Sequence, residues 1–194
     1  MAAQKYFFRL ANDLHHVSSS ARIGAFMYIS AGILVLVLMT VLFGDALKRQ
    51  RNPNQAPESI NTSDGSNSII LHRNPAGHYV FNGTVNGTSA EFILDTGATA
   101  VSISASFADR IGLEKGSQMR AITANGIARV YATRIDSVVI GDIEERNVVA
   151  SIVPSLPGDQ ILLGMSFLKR LDFSQRDDTL ILTQPDDRSL KLER

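Results

Sequence analysis

A mainly β, closed barrel-like domain with one or two short helices, preceded by one transmembrane helix, is the fold class the sequence predicts. Three observations lead there. Short apolar runs are separated by Asn86-Gly87, Asn125-Gly126 and Gly141-Asp142, dipeptides whose tolerance of positive φ favours tight hairpins. Helical signatures are few; the clearest covers residues 104–112, with Ser104 as a cap and Gly112 as a stop. Residues 23–44 carry no charge and are bracketed by Arg22 and Asp45, a run long enough to cross a bilayer as a helix.

The 194 residues leave room for one ordinary domain and an appendage, and 44% hydrophobic with 20% charged residues is normal for a folded chain. Lys+Arg and Asp+Glu both number 19, so no net charge points to nucleic acid, and no nucleic-acid partner is expected. Cysteine is absent, which excludes disulfides, thiolate nucleophiles and Cys-ligated metals. His15, His16, His72 and His78 lack a ligand spacing, so no metal and no cofactor are expected.

Residues 1–22 mix aromatic, basic and polar side chains, with Tyr6, Phe7, Phe8 and Leu10 near Lys5 and Arg9; they read as a juxtamembrane segment, interfacial or bland. The apolar run 23–44 is longer than the core of a cleaved signal peptide and leads into Asp45-Ala46-Leu47-Lys48, so it reads as an uncleaved anchor. Basic residues flank it on both sides; the free amino terminus favours residues 1–22 on the cytoplasmic side. Residues 45–68, rich in Asn, Pro, Gln and Ser and broken by Pro53 and Pro57, read as a flexible linker. The folded domain is placed at 69–194.

Within that domain, residues 78–85 and 88–94 form a hairpin about Asn86-Gly87, and its second arm delivers Asp95 into a loop of small residues. Phe92, Ile93 and Leu94 look like a buried strand, which does not ordinarily end on a carboxylate. Asp95 is therefore either a turn residue accepting backbone hydrogen bonds or a catalytic carboxylate. Residues 119–124 and 127–140 flank Asn125-Gly126 as a second hairpin. Residues 138–140 and 147–153 flank Gly141-Asp142, and Pro154 and Pro157 break the chain before the aliphatic run at 161–164. A short helix at 165–171 and a last hairpin from Phe173-Ser174 to 179–183 complete the pattern, with 184–194 unassigned. The sequons at Asn61, Asn82 and Asn86 read as chance matches, the last two lying in or at a hairpin turn.

The segment Ile93-Leu94-Asp95-Thr96-Gly97-Ala98, followed by Val101-Ser102-Ile103 and, downstream, by Ile161-Leu162-Leu163-Gly164-Met165-Ser166-Phe167-Leu168, resembles the paired signatures of retropepsin-like aspartic proteases. The likeness covers residues 69–183. It implies a retropepsin-like single lobe in which Asp95 is catalytic, Thr96, Gly97 and Ala98 complete the active-site loop, and Ala124, Asn125 and Gly126 form the flap over substrate. Leu162, Leu163 and Gly164 would support the loop from below. After Gly164 the retroviral enzymes carry Arg-Asn or Arg-Asp, whereas this chain has Met165-Ser166, closer to cellular and bacterial relatives.

Peptide hydrolysis without a metal or covalent nucleophile needs two carboxyl groups sharing one proton, and the chain contains one Asp-Thr-Gly. The family resolves this by homodimerisation, so the implied partners are a second copy, a peptide or protein substrate, and the lipid bilayer. Membrane-anchored single-lobe proteins of this kind are familiar among bacteria, which implies the inner membrane with the carboxy-terminal domain in the periplasm. The rival reading is a catalytically silent, membrane-tethered module of the same fold that binds peptide or dimerises.

Overall fold

The computed structural model describes residues 19–61, 65–123 and 126–185. The chain divides into two compact units at Leu47 and Lys48. Helix α1 (Ser19–Arg51) begins in the first and ends in the second. Its apolar side chains from Ile23 onward are exposed, and the stretch Ile23–Arg51 is long and apolar enough to cross a membrane. Two hydroxyls of that stretch are satisfied within the helix, as suits a hydrocarbon environment: Ser30 Oγ donates to the Met27 carbonyl at 3.0 Å and Thr40 Oγ1 to the Leu36 carbonyl at 2.8 Å. Lys48, Arg49 and Arg51 crowd the last turn, where positive charge complements the helix dipole.

The second unit consists of β1 (Glu58–Asn61), β2 (Asn67–His72), β3 (Val80–Val85), β4 (Thr88–Leu94), β5 (Val101–Ser104), α2 (Ala105–Arg110), β6 (Gln118–Thr123), β7 (Gly126–Ile140), β8 (Ile143–Val153), β9 (Gln160–Leu163), α3 (Met165–Leu168), β10 (Asp172–Arg176) and β11 (Thr179–Gln184). Local chemistry explains the punctuation. Asn86 and Gly87 take φ values of 48° and 78° between Val85 and Thr88, the pair of positive dihedrals a two-residue hairpin requires. Ser104 caps α2 by accepting the Phe107 N–H at 3.2 Å, and Gly112 stops the segment with φ at 70°.

The strands form a seven-stranded sheet in the order β3-β4-β9-β5-β8-β7-β6, and β3 also pairs with β7. That extra pairing closes β3, β4, β9, β5, β8 and β7 into a barrel and leaves β6 appended to β7. The barrel fills with Phe81, Phe92, Ile103, Phe107, Ile152, Ile161, Leu163 and Phe167. The rings of Phe81 and Phe92, opposed across β3 and β4, stack at 5.7 Å. A second sheet, β1-β2-β11-β10, buries Ile69, Leu71, Leu180 and Leu182.

Residues 45–61 depart from the flexible linker expected of them. The helix continues to Arg51, Asn54 bridges to Phe81, and β1 pairs with β2. Asn52 and Asn54 are buried because an amide side chain can stand in for a peptide group. Asn54 Oδ1 accepts the His72 N–H at 2.6 Å, while Nδ2 donates to the carbonyls of His72 and Val80, both at 2.8 Å. Polar composition signalled solvent here, yet every one of these polar atoms has a partner within the fold.

Smaller differences concern boundaries. Strand β8 starts at Ile143 rather than residue 147, because Glu144, Glu145 and Arg146 form a charged stretch with no apolar signature. Helix α3 ends at Leu168 rather than 171, passing into turns in which Arg170 and Leu171 donate to the carbonyls of Phe167 and Leu168. In the β6–β7 hairpin Gly126 stands opposite Thr123 and belongs to the ladder rather than the turn.

Candidate active site

Strand β9 lies between β4 and β5, parallel to the first with Leu94 beside Leu163, and antiparallel to the second with Ser102 opposite Leu162. The chain leaving β4 must therefore cross over the end of β9 to reach β5. Residues 95–100 make that crossing. Asp95 sits at its start, half-buried, while Thr96 and Gly97 are exposed and Ala98 is half-buried.

Backbone groups fix the crossing to its surroundings. Leu94 N–H donates to the Tyr79 carbonyl at 3.0 Å and Asp95 N–H to the Leu163 carbonyl at 3.1 Å, so the acidic residue is held from both sides of β4. Ala98 N–H returns to the Asp95 carbonyl at 3.2 Å, and Met165 N–H reaches up to the Ala98 carbonyl at 2.8 Å. Gly164 lies where no side chain fits: a Cβ there would strike the carbonyl oxygens of Ala98 and Ala100. The Asp95 and Gly164 segments, far apart in sequence, thus form one assembly.

The Asp95 carboxylate accepts the Gly97 N–H on Oδ1 at 2.9 Å. This is the turn bond expected of an ordinary Asp before a Gly, and it orients the group without exhausting it, since a carboxylate has about four acceptor positions. The bond that the turn reading expects of Asp95 is thus present. Leu163 is fully buried, Leu162 half-buried, and Gly164 buried, which puts all three residues of the expected support beneath or beside the crossing. Of the residues expected to form a flap, Ala124 and Asn125 lie outside the described residues, while Gly126 is exposed with φ at 105°.

Two contributions went unread in the sequence. Tyr79, ahead of β3, supplies a carbonyl to Leu94, and no side-chain pattern announces a backbone acceptor. Ser166, noted only as a departure from the retroviral signature, accepts the Val101 N–H at 3.0 Å and donates to the Val149 carbonyl at 2.7 Å. Among the described residues no three His, Cys, Asp or Glu side chains are grouped to hold a metal ion. A cleft of about 630 Å3, lined by Arg51, Glu91, Arg110 and Asp159 together with Ala90 and Pro157, includes none of the candidate site residues.

Comparison with known proteins places this geometry. Residues 81–170 match the family described as "gag-polyprotein putative aspartyl protease". An uncharacterised protein from the cobV 5' region of a Sinorhizobium species is 33% identical over 144 residues, 72% of this chain and 61% of that one. An uncharacterised protein of Rickettsia prowazekii is 34% identical over 118 residues, 59% of this chain and 50% of that one. The chain thus spans between half and about three fifths of the length of these two relatives. The crystal structure of a retropepsin-like aspartic protease from Rickettsia conorii is 30% identical, with a TM-score of 0.52, and the match covers 66% of this chain and 95% of that one. With a closed barrel crossed by an Asp-Thr-Gly loop over a Leu-Leu-Gly strand end, and a relative matched along nearly its whole length, the chain belongs to the retropepsin-like aspartic protease family.

Proposed function

We propose that the protein is a membrane-anchored aspartic endopeptidase whose active site is completed by a second copy of the chain. The observation that carries this reading is the placement of Asp95, at the end of β4, with its backbone fixed by Leu163 and its carboxylate oriented by Gly97. One loop supplies one carboxylate, and hydrolysis by activated water uses two. Thr96 and Gly97 are exposed, which leaves the loop accessible to its counterpart in a twofold dimer.

In the dimer one carboxylate takes a proton from water as that water attacks the scissile carbonyl carbon, and the other, protonated, gives its proton to the carbonyl oxygen. The tetrahedral diol then collapses: the first carboxyl gives the proton it took from water to the nitrogen, the second carboxylate takes a proton from a diol hydroxyl, the C–N bond breaks, and a carboxylic acid and an amine leave with the singly protonated pair restored. Thr96 hydrogen-bonds across the dimer to keep the two loops coplanar, and Gly97 lets substrate backbone approach. Leu162, Leu163 and Gly164 hold the loop, and Ala124, Asn125 and Gly126 act as the flap over the peptide. Helix α1 retains the enzyme in the bacterial inner membrane, with the domain on the periplasmic side.

The deciding experiment compares the full chain with Asp95→Asn on a randomised fluorogenic peptide library. Cleavage by the native chain and none by the variant is expected. Equal cleavage by both would refute the reading.

A further inference from the structure

The proposed chemistry needs the Asp95 loop held at its beginning, middle and end. Asp95 N–H on the Leu163 carbonyl holds the beginning, and Met165 N–H on the Ala98 carbonyl holds the middle. Both bonds are backbone to backbone and indifferent to side-chain identity. The end is held differently. Val101, the first residue of β5 and fully buried, donates its N–H to Ser166 Oγ at 3.0 Å, and that hydroxyl donates onward to the Val149 carbonyl of β8 at 2.7 Å. Val149 directly precedes Ala150, the residue beside Val101 in the parallel β5–β8 pair.

A serine in the first turn of a helix commonly caps it or bonds back to its own helix. Ser166 does neither: the cap position of α3 is Gly164, without a side-chain bond, and the hydroxyl is spent on two strands outside the helix. It is 8% exposed; its bond to Val101 is buried, where an unmade partner is costly, and its bond to Val149 is partly buried.

We infer that Ser166 is a positioning residue for the active-site loop. Its hydroxyl ties the outgoing limb to β8, so that the limb cannot swing and carry Asp95 out of register with the carboxylate of a second copy. Its effect on turnover rests on the endopeptidase reading above; its effect on loop order rests on the two hydrogen bonds alone.

The test uses the full chain in detergent, comparing the native protein with Ser166→Ala and with Ser166→Thr, which keeps the hydroxyl. The probe is the fluorogenic peptide that the native chain cleaves best from a randomised library, and amide hydrogen exchange is followed in parallel. In Ser166→Ala, kcat is expected to fall on the order of 10²-fold, the scale for a displaced catalytic group, with KM changed far less and with Ser166→Thr recovering much of the loss. Exchange should accelerate at Val101 and across 96–100 while β10 and β11 stay protected. Unchanged exchange in the loop overturns the inference, as does unchanged kcat with faster exchange, or loss of protection spread evenly over the barrel. If the native chain cleaves nothing, the endopeptidase reading fails by itself, and the exchange pattern still decides whether Ser166 orders the loop.

Discussion

Gly164 lies directly under the Ala98 carbonyl: a Cβ at Gly164 would stand 2.6 Å from that oxygen, which the neighbouring Met165 N–H already holds at 2.8 Å. The obstacle is backbone, fixed by its own hydrogen bond, and has no rotamer with which to move aside. Contact between the two signature segments therefore depends on the absence of a side chain at this one position.

Gly164→Ala is accordingly expected to destabilise the protein by about 1–3 kcal/mol, the usual cost of forcing atoms into a packed site. It should also lower cleavage more than that loss of stability explains, because the loop lifts away from β9. Urea denaturation of the full chain in detergent, read beside activity at a denaturant concentration where both proteins are folded, separates the two effects. A variant as stable as the native chain would show that the crossing can give way.

Asn54→Ala removes one acceptor and two donors that join β2 to β3. The His72 N–H and the carbonyls of His72 and Val80 lose their partner together. The bond to the Val80 carbonyl is buried and the two at His72 are only partly so; at roughly 1–3 kcal/mol for a buried group left unsatisfied, a loss of about 1–3 kcal/mol is expected. The urea midpoint should drop accordingly. A shift within the range of an exposed asparagine substitution would mean that water replaces the amide.

The same residue marks where sequence reading failed. Asn86-Gly87, Ser104 and Gly112 act through local dihedrals and caps, so their hairpin and helix were legible without knowledge of the rest of the chain. Asp95 and the Leu163-Gly164 run were legible as a pair of signatures, although their contact across β9 could not be read from either alone. Asn52 and Asn54 belong to a third kind: their burial depends wholly on distant backbone groups, and a composition rich in Asn and Pro is the same whether the amides face water or peptide bonds. Ser166 shares that property, since one hydroxyl between two strands leaves no periodic trace.

Truncation follows from this correction. A fragment beginning at Lys48 retains Asn52, Asn54 and β1, whereas one beginning at Ser66 loses all three. The longer fragment is expected to fold as a soluble, mainly β protein, and the shorter to unfold at lower urea or to aggregate through its exposed β2 edge. Circular dichroism and urea titration of both fragments measure this. Equal stability would return residues 48–61 to the status of a linker.

The orientation of the anchor can be checked with reporter fusions placed after Gln184. With residues 1–22 in the cytoplasm, a reporter that works only outside the cytoplasm should be active there, and one that works only inside should be silent. The reverse pattern would put the domain on the cytoplasmic face. The charge balance about α1 is close, with Lys48, Arg49 and Arg51 in its final turn, so converting those three to Gln should strengthen the expected orientation.

Mixing experiments reach the claim that two chains share one site. Asp95→Asn chains that still dimerise form mixed pairs with native chains, and such a pair has one carboxylate where hydrolysis uses two. With random pairing, the active fraction follows the square of the native fraction, so an equal mixture should retain roughly one quarter of the activity rather than one half. Co-reconstitution on one membrane keeps both species at a high local concentration, which removes dilution as a competing cause of loss. Linear dependence on the native fraction would show that one chain suffices, and the second carboxylate would then have to be sought within the same lobe.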